Sequence, residues 1–151
     1  MCAIVLESLR TTSMTKPRIL IAGIGNIFHG DDAFGVEVVR RVRQQPQAEG
    51  IDAVDFGIRG FDLACALMGE YDAAILVDAI ARGGPPGTLY VIELEPASLT
   101  ATERELGLEG HSLHPARVLQ WVQALGGPCP LCVWWGASRQ RLATTKFCEW
   151  S

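Results

Sequence analysis

The chain is short of several things, and each shortage removes a class of function. Positive charge is scarce: 13 Lys and Arg stand against 17 Asp and Glu, for a formal net charge of −4. With no basic run and no basic patch interleaved with aromatics, no nucleic-acid partner is expected. No stretch approaches the roughly 20 apolar residues that a helix needs to cross a bilayer, so no membrane span is expected. The apolar patch at residues 3–6 lies too near the start and lacks a basic flank, which makes it a poor signal peptide. There is no internal repeat, no low-complexity tract and no linker. The 151 residues therefore suit one domain with its own core.

Paired cysteine motifs are also short. Of the five cysteines, Cys2, Cys65, Cys129, Cys132 and Cys148, only Cys129 and Cys132 form a CxxC. A zinc site wants a second pair or histidines at matching spacing. A thioredoxin-like motif wants the pair opening a helix after a strand, yet this one follows Gly126-Gly127-Pro128. The pair is read as carrying no chemistry, and Cys65, on a helical apolar stripe, as core. The odd cysteine count without a secretory leader favours a reducing cytoplasm. Met14 directly precedes Thr15-Lys16-Pro17 and the first strand. Residues 1–13 are therefore expected to be an extension before a natural start at Met14.

What is present is alternation of strand and helix patterns. Residues 19–22 are wholly apolar, as in a parallel strand covered on both faces. Phe34, Val38, Val39 and Val42 recur at helical spacing over residues 33–43. Residues 51–56 and 71–77 read as further strands, and residues 61–68 as a helix with Phe61, Leu63, Ala64, Leu67 and Met68 on its apolar side. Residues 88–93 alternate as a fourth strand. Residues 97–106 read as one or two helical turns, and residues 115–125 as a clear helix opened by Pro115 and stopped by Gly126-Gly127. Strands alternating with helices imply a mostly parallel twisted sheet between helices, a three-layer α/β/α sandwich.

Chemistry concentrates after the first strand, in Gly23-Ile24-Gly25-Asn26 and Gly30-Asp31-Asp32-Ala33-Phe34-Gly35. This is not a dinucleotide fingerprint: Phe28 stands where the third glycine belongs, and two carboxylates at a helix start oppose a pyrophosphate. Helix N-capping accounts for one of Asp31 and Asp32 but not both. Asp32 follows the first strand, Asp78 the third, and His111 precedes the helix at Pro115. Two carboxylates and an imidazole at one sheet edge make an incomplete coordination set for nickel or zinc. Taken singly, each has a plainer reading as a cap, a strand end or a surface histidine.

The GxGN and GDDAFG motifs resemble the opening of the nickel–iron (NiFe) hydrogenase maturation proteases. The resemblance continues through Val54-Asp55-Phe56-Gly57, Val77-Asp78-Ala79-Ile80, Pro86-Gly87-Thr88 and His111-Ser112-Leu113 before Val118-Leu119, covering roughly residues 17–133. It implies a cytoplasmic aspartic-type endopeptidase that removes the C-terminal peptide of a hydrogenase large-subunit precursor once nickel is inserted. By motif, nickel recognition falls on Asp32, Asp78 and His111, and cleavage on Asp32 or Asp78, with His114 a rival for the histidine role. Some members have Glu at the position of Asp32. The nickel is carried by the substrate, and no organic cofactor is implied. A non-catalytic member that only binds precursor or metal is the alternative.

The resemblance implies a protease-like domain over residues 14–133 and an atypical tail over 134–151. Members continue with a strand, a Gly-Cys-Glu-Pro-like turn and a final helix. Here the chain reads Trp134-Trp135-Gly136-Ala137-Ser138-Arg139-Gln140-Arg141-Leu142. The neighbouring frame permits Val-Val-Gly-Cys-Glu-Pro-Ala-Thr-Leu, so a shifted frame is expected from about residue 133. On that basis the final strand and helix should be aberrant or missing, leaving apolar sheet exposed and prone to aggregation.

Overall fold

Runs of β-branched and small apolar residues form the centre of one five-stranded sheet. The computed structural model describes residues 16–28, 30–94 and 114–139. In chain order these form β1 (Ile19–Ile24), a single 3-10 turn (Gly30–Ala33), α1 (Phe34–Arg43), β2 (Ile51–Gly57) and α2 (Gly60–Leu67). There follow β3 (Ala73–Ile80), β4 (Leu89–Leu94), α3 (Pro115–Ala124) and β5 (Leu131–Ser138). The strand order is β2-β1-β3-β5-β4. β1 pairs in parallel with β2 and β3, and β3 with β5, while β4 closes the edge antiparallel to β5. The sheet is mostly parallel, as its sequence indicated.

Helices cover both faces. α2 and α3 pack together on one, burying Leu63, Leu67, Val118 and Leu119 against Leu20 and Leu76 of the sheet. α1 lies on the other, over β1, β2 and β3. Its approach is close because Gly23 has no side chain: a Cβ there would stand 2.5 Å from the Gly35 carbonyl oxygen. Glu37 pairs with Arg40 and Arg41 one turn on, along the outer side of α1. Among the described residues no helix is long and apolar enough to cross a membrane.

Several expectations change. The final strand, expected to be aberrant or missing, is present: β5 lies between β3 and β4 with Cys132, Val133 and Trp134 buried. Tryptophan is a good strand former and fills the core position as an aliphatic residue would. The expected loss of the final helix concerns residues 140–151, which lie outside the described residues, as do residues 97–106. β3 does not stop at Val77 but runs on to Ile80, so Asp78 sits inside a strand. Cys65 and Phe61 are exposed rather than core. The stripe of α2 that meets the sheet is Gly60, Leu63, Ala64 and Leu67, and neither residue lies on it.

The expected exposed apolar sheet is there. Leu89 and Val91 on β4 are 70% and 64% exposed, and Trp135, directly across from Val91, is 42% exposed. Among the described residues β4 is also an edge strand, with one side of its backbone unpaired in the sheet. An apolar edge is a template for association. Replacing Leu89 and Val91 together by Thr keeps strand propensity but removes the patch. Light scattering of concentrated protein should fall, while stability changes by under about 0.5 kcal/mol per site. Unchanged scattering would mean that association runs through another surface.

Candidate functional site

The loop after β1 is shaped by what it lacks. Gly25 has φ +141°, and a Cβ on it would stand 1.9 Å from the Asp32 carbonyl oxygen. Its N–H donates to the Gly57 carbonyl at 3.0 Å, tying the loop to the end of β2. The loop then closes on itself: the Asn26 N–H reaches the Asp32 carbonyl at 3.1 Å and Asp32 Oδ2 at 3.2 Å. The Phe28 N–H donates to Asn26 Oδ1 at 3.0 Å, an Asx turn. After the 3-10 turn, Gly35 lets α1 start against bare backbone. A Cβ there would lie 2.0 Å from the Val77 carbonyl oxygen and 2.3 Å from that of Ile24.

This geometry carries Asp32 to the crevice between the carboxyl ends of β1 and β3. The chain leaves β1 toward β2 on one side and leaves β3 toward β4 on the other, so this is the topological switch point where ligands enter open α/β sheets. Asp78, from β3, joins Asp32 there, and both are nearly buried, at 5% and 9% exposure. Asp78 Oδ1 accepts the Ala79 N–H at 2.7 Å. Burial pushes the Asp78 carboxyl up to about 7; the Ala79 N–H pulls the other way, the nearby Asp32 charge adds to the rise, and Arg139 opposes it. Asp78 therefore exchanges a proton near neutrality, which suits a group that takes a proton from water.

Sequence reasoning missed one member of the site. Arg139 Nη1 lies 3.0 Å from Asp32 Oδ1. The signal was available: parallel pairing of β3 and β5 ends at Ile80 and Ser138, so residue 139 must emerge beside the carboxyl edge of β3. It was hidden because residues 134–151 read as an atypical tail. Capping does not explain Asp32, since Ala33 is the N-cap of α1 and no side chain caps that helix.

The other nominated residues divide. His111 lies outside the described residues, and so does the side chain of Asp31. His114 is committed elsewhere: its Nδ1 accepts the Ala116 N–H at 3.2 Å at the start of α3, and its ring meets Trp134 edge-on at 4.7 Å. Burial lowers its pKa to about 4, so it is neutral at physiological pH. Among the described residues no group of three His, Cys, Asp or Glu side chains is placed to hold a metal ion. Asp32 and Asp78 carry carboxylate oxygens, a donor type that nickel accepts. Burial pushes the Cys132 thiol up to about 12 and raises Cys129 as well, so neither CxxC sulfur is a thiolate at neutral pH.

Comparison with known proteins gives a consistent answer. The family model described as hydrogenase maturation protease matches residues 36–142, a span that includes Asp78, His111 and Arg139. The hydrogenase expression/formation protein HupD of Bradyrhizobium diazoefficiens is 34% identical over 122 residues, covering 79% of this chain and 60% of that protein. The hydrogenase 2 maturation protease of Escherichia coli is 31% identical over 111 residues, covering 72% of this chain and 65% of that one. Among solved structures, the hydrogenase maturating endopeptidase HybD from Escherichia coli superposes with a TM-score of 0.64 at 30% identity, covering 80% of this chain and 74% of that one. The chain spans about half the length of the curated relatives it matches.

Two outcomes test this geometry. Gly35→Ala forces a methyl into the Val77 and Ile24 carbonyls and should cost about 3 kcal/mol in urea unfolding. A loss under about 1 kcal/mol would mean that α1 can back away from β3. The second concerns pH. The folded Asp78 value of about 7 lies above the ordinary 3.8. Between those values the folded chain keeps a proton that the unfolded chain has released. The stability this confers is full below the lower value and is lost as pH rises through the upper one. Asp78→Asn has no such loss, so its stability relative to wild type should climb by at least about 1 kcal/mol from pH 4 to pH 7, then level. A difference that stays constant with pH would contradict the assignment.

Proposed function

This chain belongs to the hydrogenase maturation protease family, and on that premise we propose that it is an endopeptidase. Its substrate is the large-subunit precursor of a nickel–iron hydrogenase, from which it removes the C-terminal peptide after nickel insertion. Asp32, Asp78 and His111 recognise the nickel, which arrives as cargo of the precursor, and the reaction takes place in the cytoplasm. Asp32 or Asp78 acts as general base on the attacking water. The observation that carries the reading is the convergence of Asp32, from the 3-10 turn after β1, and Asp78, from β3, in the switch-point crevice. Carboxylate and imidazole donors suit nickel. Requiring contact with a metal held by the substrate makes cleavage conditional on loading, a discrimination by differential binding.

The rim of the crevice supports a polypeptide substrate. Ile27 and Phe28 after β1, with Ile58 and Phe61 after β2, are 61–87% exposed, and their loops are joined by the Gly25 to Gly57 hydrogen bond. Large exposed apolar side chains on these two loops suit a partner chain better than a small polar ligand. A second reading, binding without cleavage, is favoured by the ion pair that already occupies Asp32.

The test is cleavage of purified precursor, with and without nickel, by wild type, Asp32→Ala and Asp78→Ala. Nickel-dependent loss of the C-terminal peptide is expected, slowed by at least about 100-fold in each variant. Folded wild type that binds the precursor without shortening it would establish the binding-only reading. Cleavage unaffected by either substitution would remove the carboxylates from the mechanism.

A further inference from the structure

We propose that Arg139 is a displaceable counter-ion for Asp32: it holds the carboxylate that the substrate's metal engages, and it swings out when that metal arrives. This rests on the function proposed above, in which Asp32 meets a divalent cation brought by the precursor.

Four observations define such a latch. The backbone of Arg139 is fixed, its N–H donating to the Ile80 carbonyl at 3.1 Å, so the side chain can leave without moving β5. The closest approach of the ion pair is Nη1 to Oδ1 at 3.0 Å, while Oδ2 accepts the Asn26 N–H at 3.2 Å, so the carboxylate keeps a backbone partner when the guanidinium leaves. Arg139 Nε is buried with no hydrogen-bond partner, a penalty that the paired position carries and the released position does not. Finally, the side chain of Arg139 is 32% exposed against 12% for Asp32, so part of it already borders solvent.

The consequence is selectivity between sources of metal. A hydrated free cation must displace the guanidinium and lose its own water with only two carboxylates as recompense. A cation held by the precursor arrives partly dehydrated, with further ligands and a polypeptide that binds the rim. Arg139 thus weakens capture of free metal more than engagement of loaded substrate, which is specificity obtained by opposing the wrong ligand.

The experiment is isothermal titration of nickel chloride into the full-length protein at low ionic strength. The proteins compared are wild type, Arg139→Gln, Arg139→Lys, Asp32→Asn and the double variant R139Q/D32N. Arg139→Gln should bind nickel at least about tenfold more tightly than wild type, a factor equal to about 1.4 kcal/mol. Arg139→Lys, which keeps the charge, should stay near wild type, and R139Q/D32N should lose the gain. If Arg139→Gln does not fold by circular dichroism, Arg139→Met preserves the packing of the stem and takes its place. Equal affinities for wild type and Arg139→Gln, with Asp32→Asn still weakening both, would overturn the latch and leave the proposed function standing. Nickel binding indifferent to Asp32→Asn in both backgrounds would overturn both. No measurable binding to any variant would overturn the latch, because nothing would be released by removing Arg139.

Discussion

The structure turns on a place where three backbones meet with no side chain between them. Gly35 brings the first turn of α1 against the carbonyls of Ile24 in β1 and Val77 in β3. A methyl group there has no free volume to enter, because both neighbours are backbone held in the sheet. The same compression runs back through Gly25, whose open φ and missing Cβ let the loop fold under Asp32. Asp32 is not presented by a flexible loop that happens to reach the crevice. It is held there by the packing that fixes α1 on the sheet, so stability and site geometry share one cause.

The crevice is close to electrically balanced before any substrate enters. Asp32 is paired with Arg139, and Asp78 is driven toward its neutral form by burial. A buried pair of ionised carboxylates would be costly without a cation between them. The fold meets that cost in two ways, with a guanidinium at one carboxyl and a proton at the other. His114 stays outside this balance, neutral and occupied in capping α3. A dication with its own ligands would replace both the guanidinium and the proton. That is why a site with two described donors is better suited to a metal that comes with a partner than to one it must hold alone.

What the sequence revealed and concealed follows the physics of each element. β1, α1, β2 and α3 were legible because their periodicity or continuous apolar run is long, and because Pro115 and Gly126 mark the ends of α3. Asp32 and Asp78 were legible because glycine spacing and strand position both point to a switch-point edge. α2 was legible as a helix but not in its facing. Its eight residues are apolar on more than one side, and a small rotation decides whether Phe61 and Cys65 or Leu63 and Leu67 reach the core. The extent of β3 was obscured because Asp78 looks like a terminator. It does not break the strand, since β3 continues its pairing with β5 through Ile80.

β5 shows most sharply how burial and pairing outrank residue identity. The stretch that departs from the family's expected Gly-Cys-Glu-Pro turn still forms a strand and enters the middle of the sheet. Among the described residues it carries two buried nitrogens without partners, Trp134 Nε1 and Arg139 Nε. Each such orphan costs about 1–3 kcal/mol. Against that, a buried Trp is worth about 3–5 kcal/mol relative to Ala, and Trp134 is 4% exposed and packed on His114. Pairing on both sides of β5 adds the backbone hydrogen bonds that a missing central strand would forfeit. Burial and pairing outweigh the misfit, so the strand forms, and alternation then dictates the rest. Trp134 goes to the helix-covered core, Trp135 to the open apolar face, and the strand's end delivers Arg139 to Asp32. The end of β5 therefore supplies the cation in the charge balance of the site.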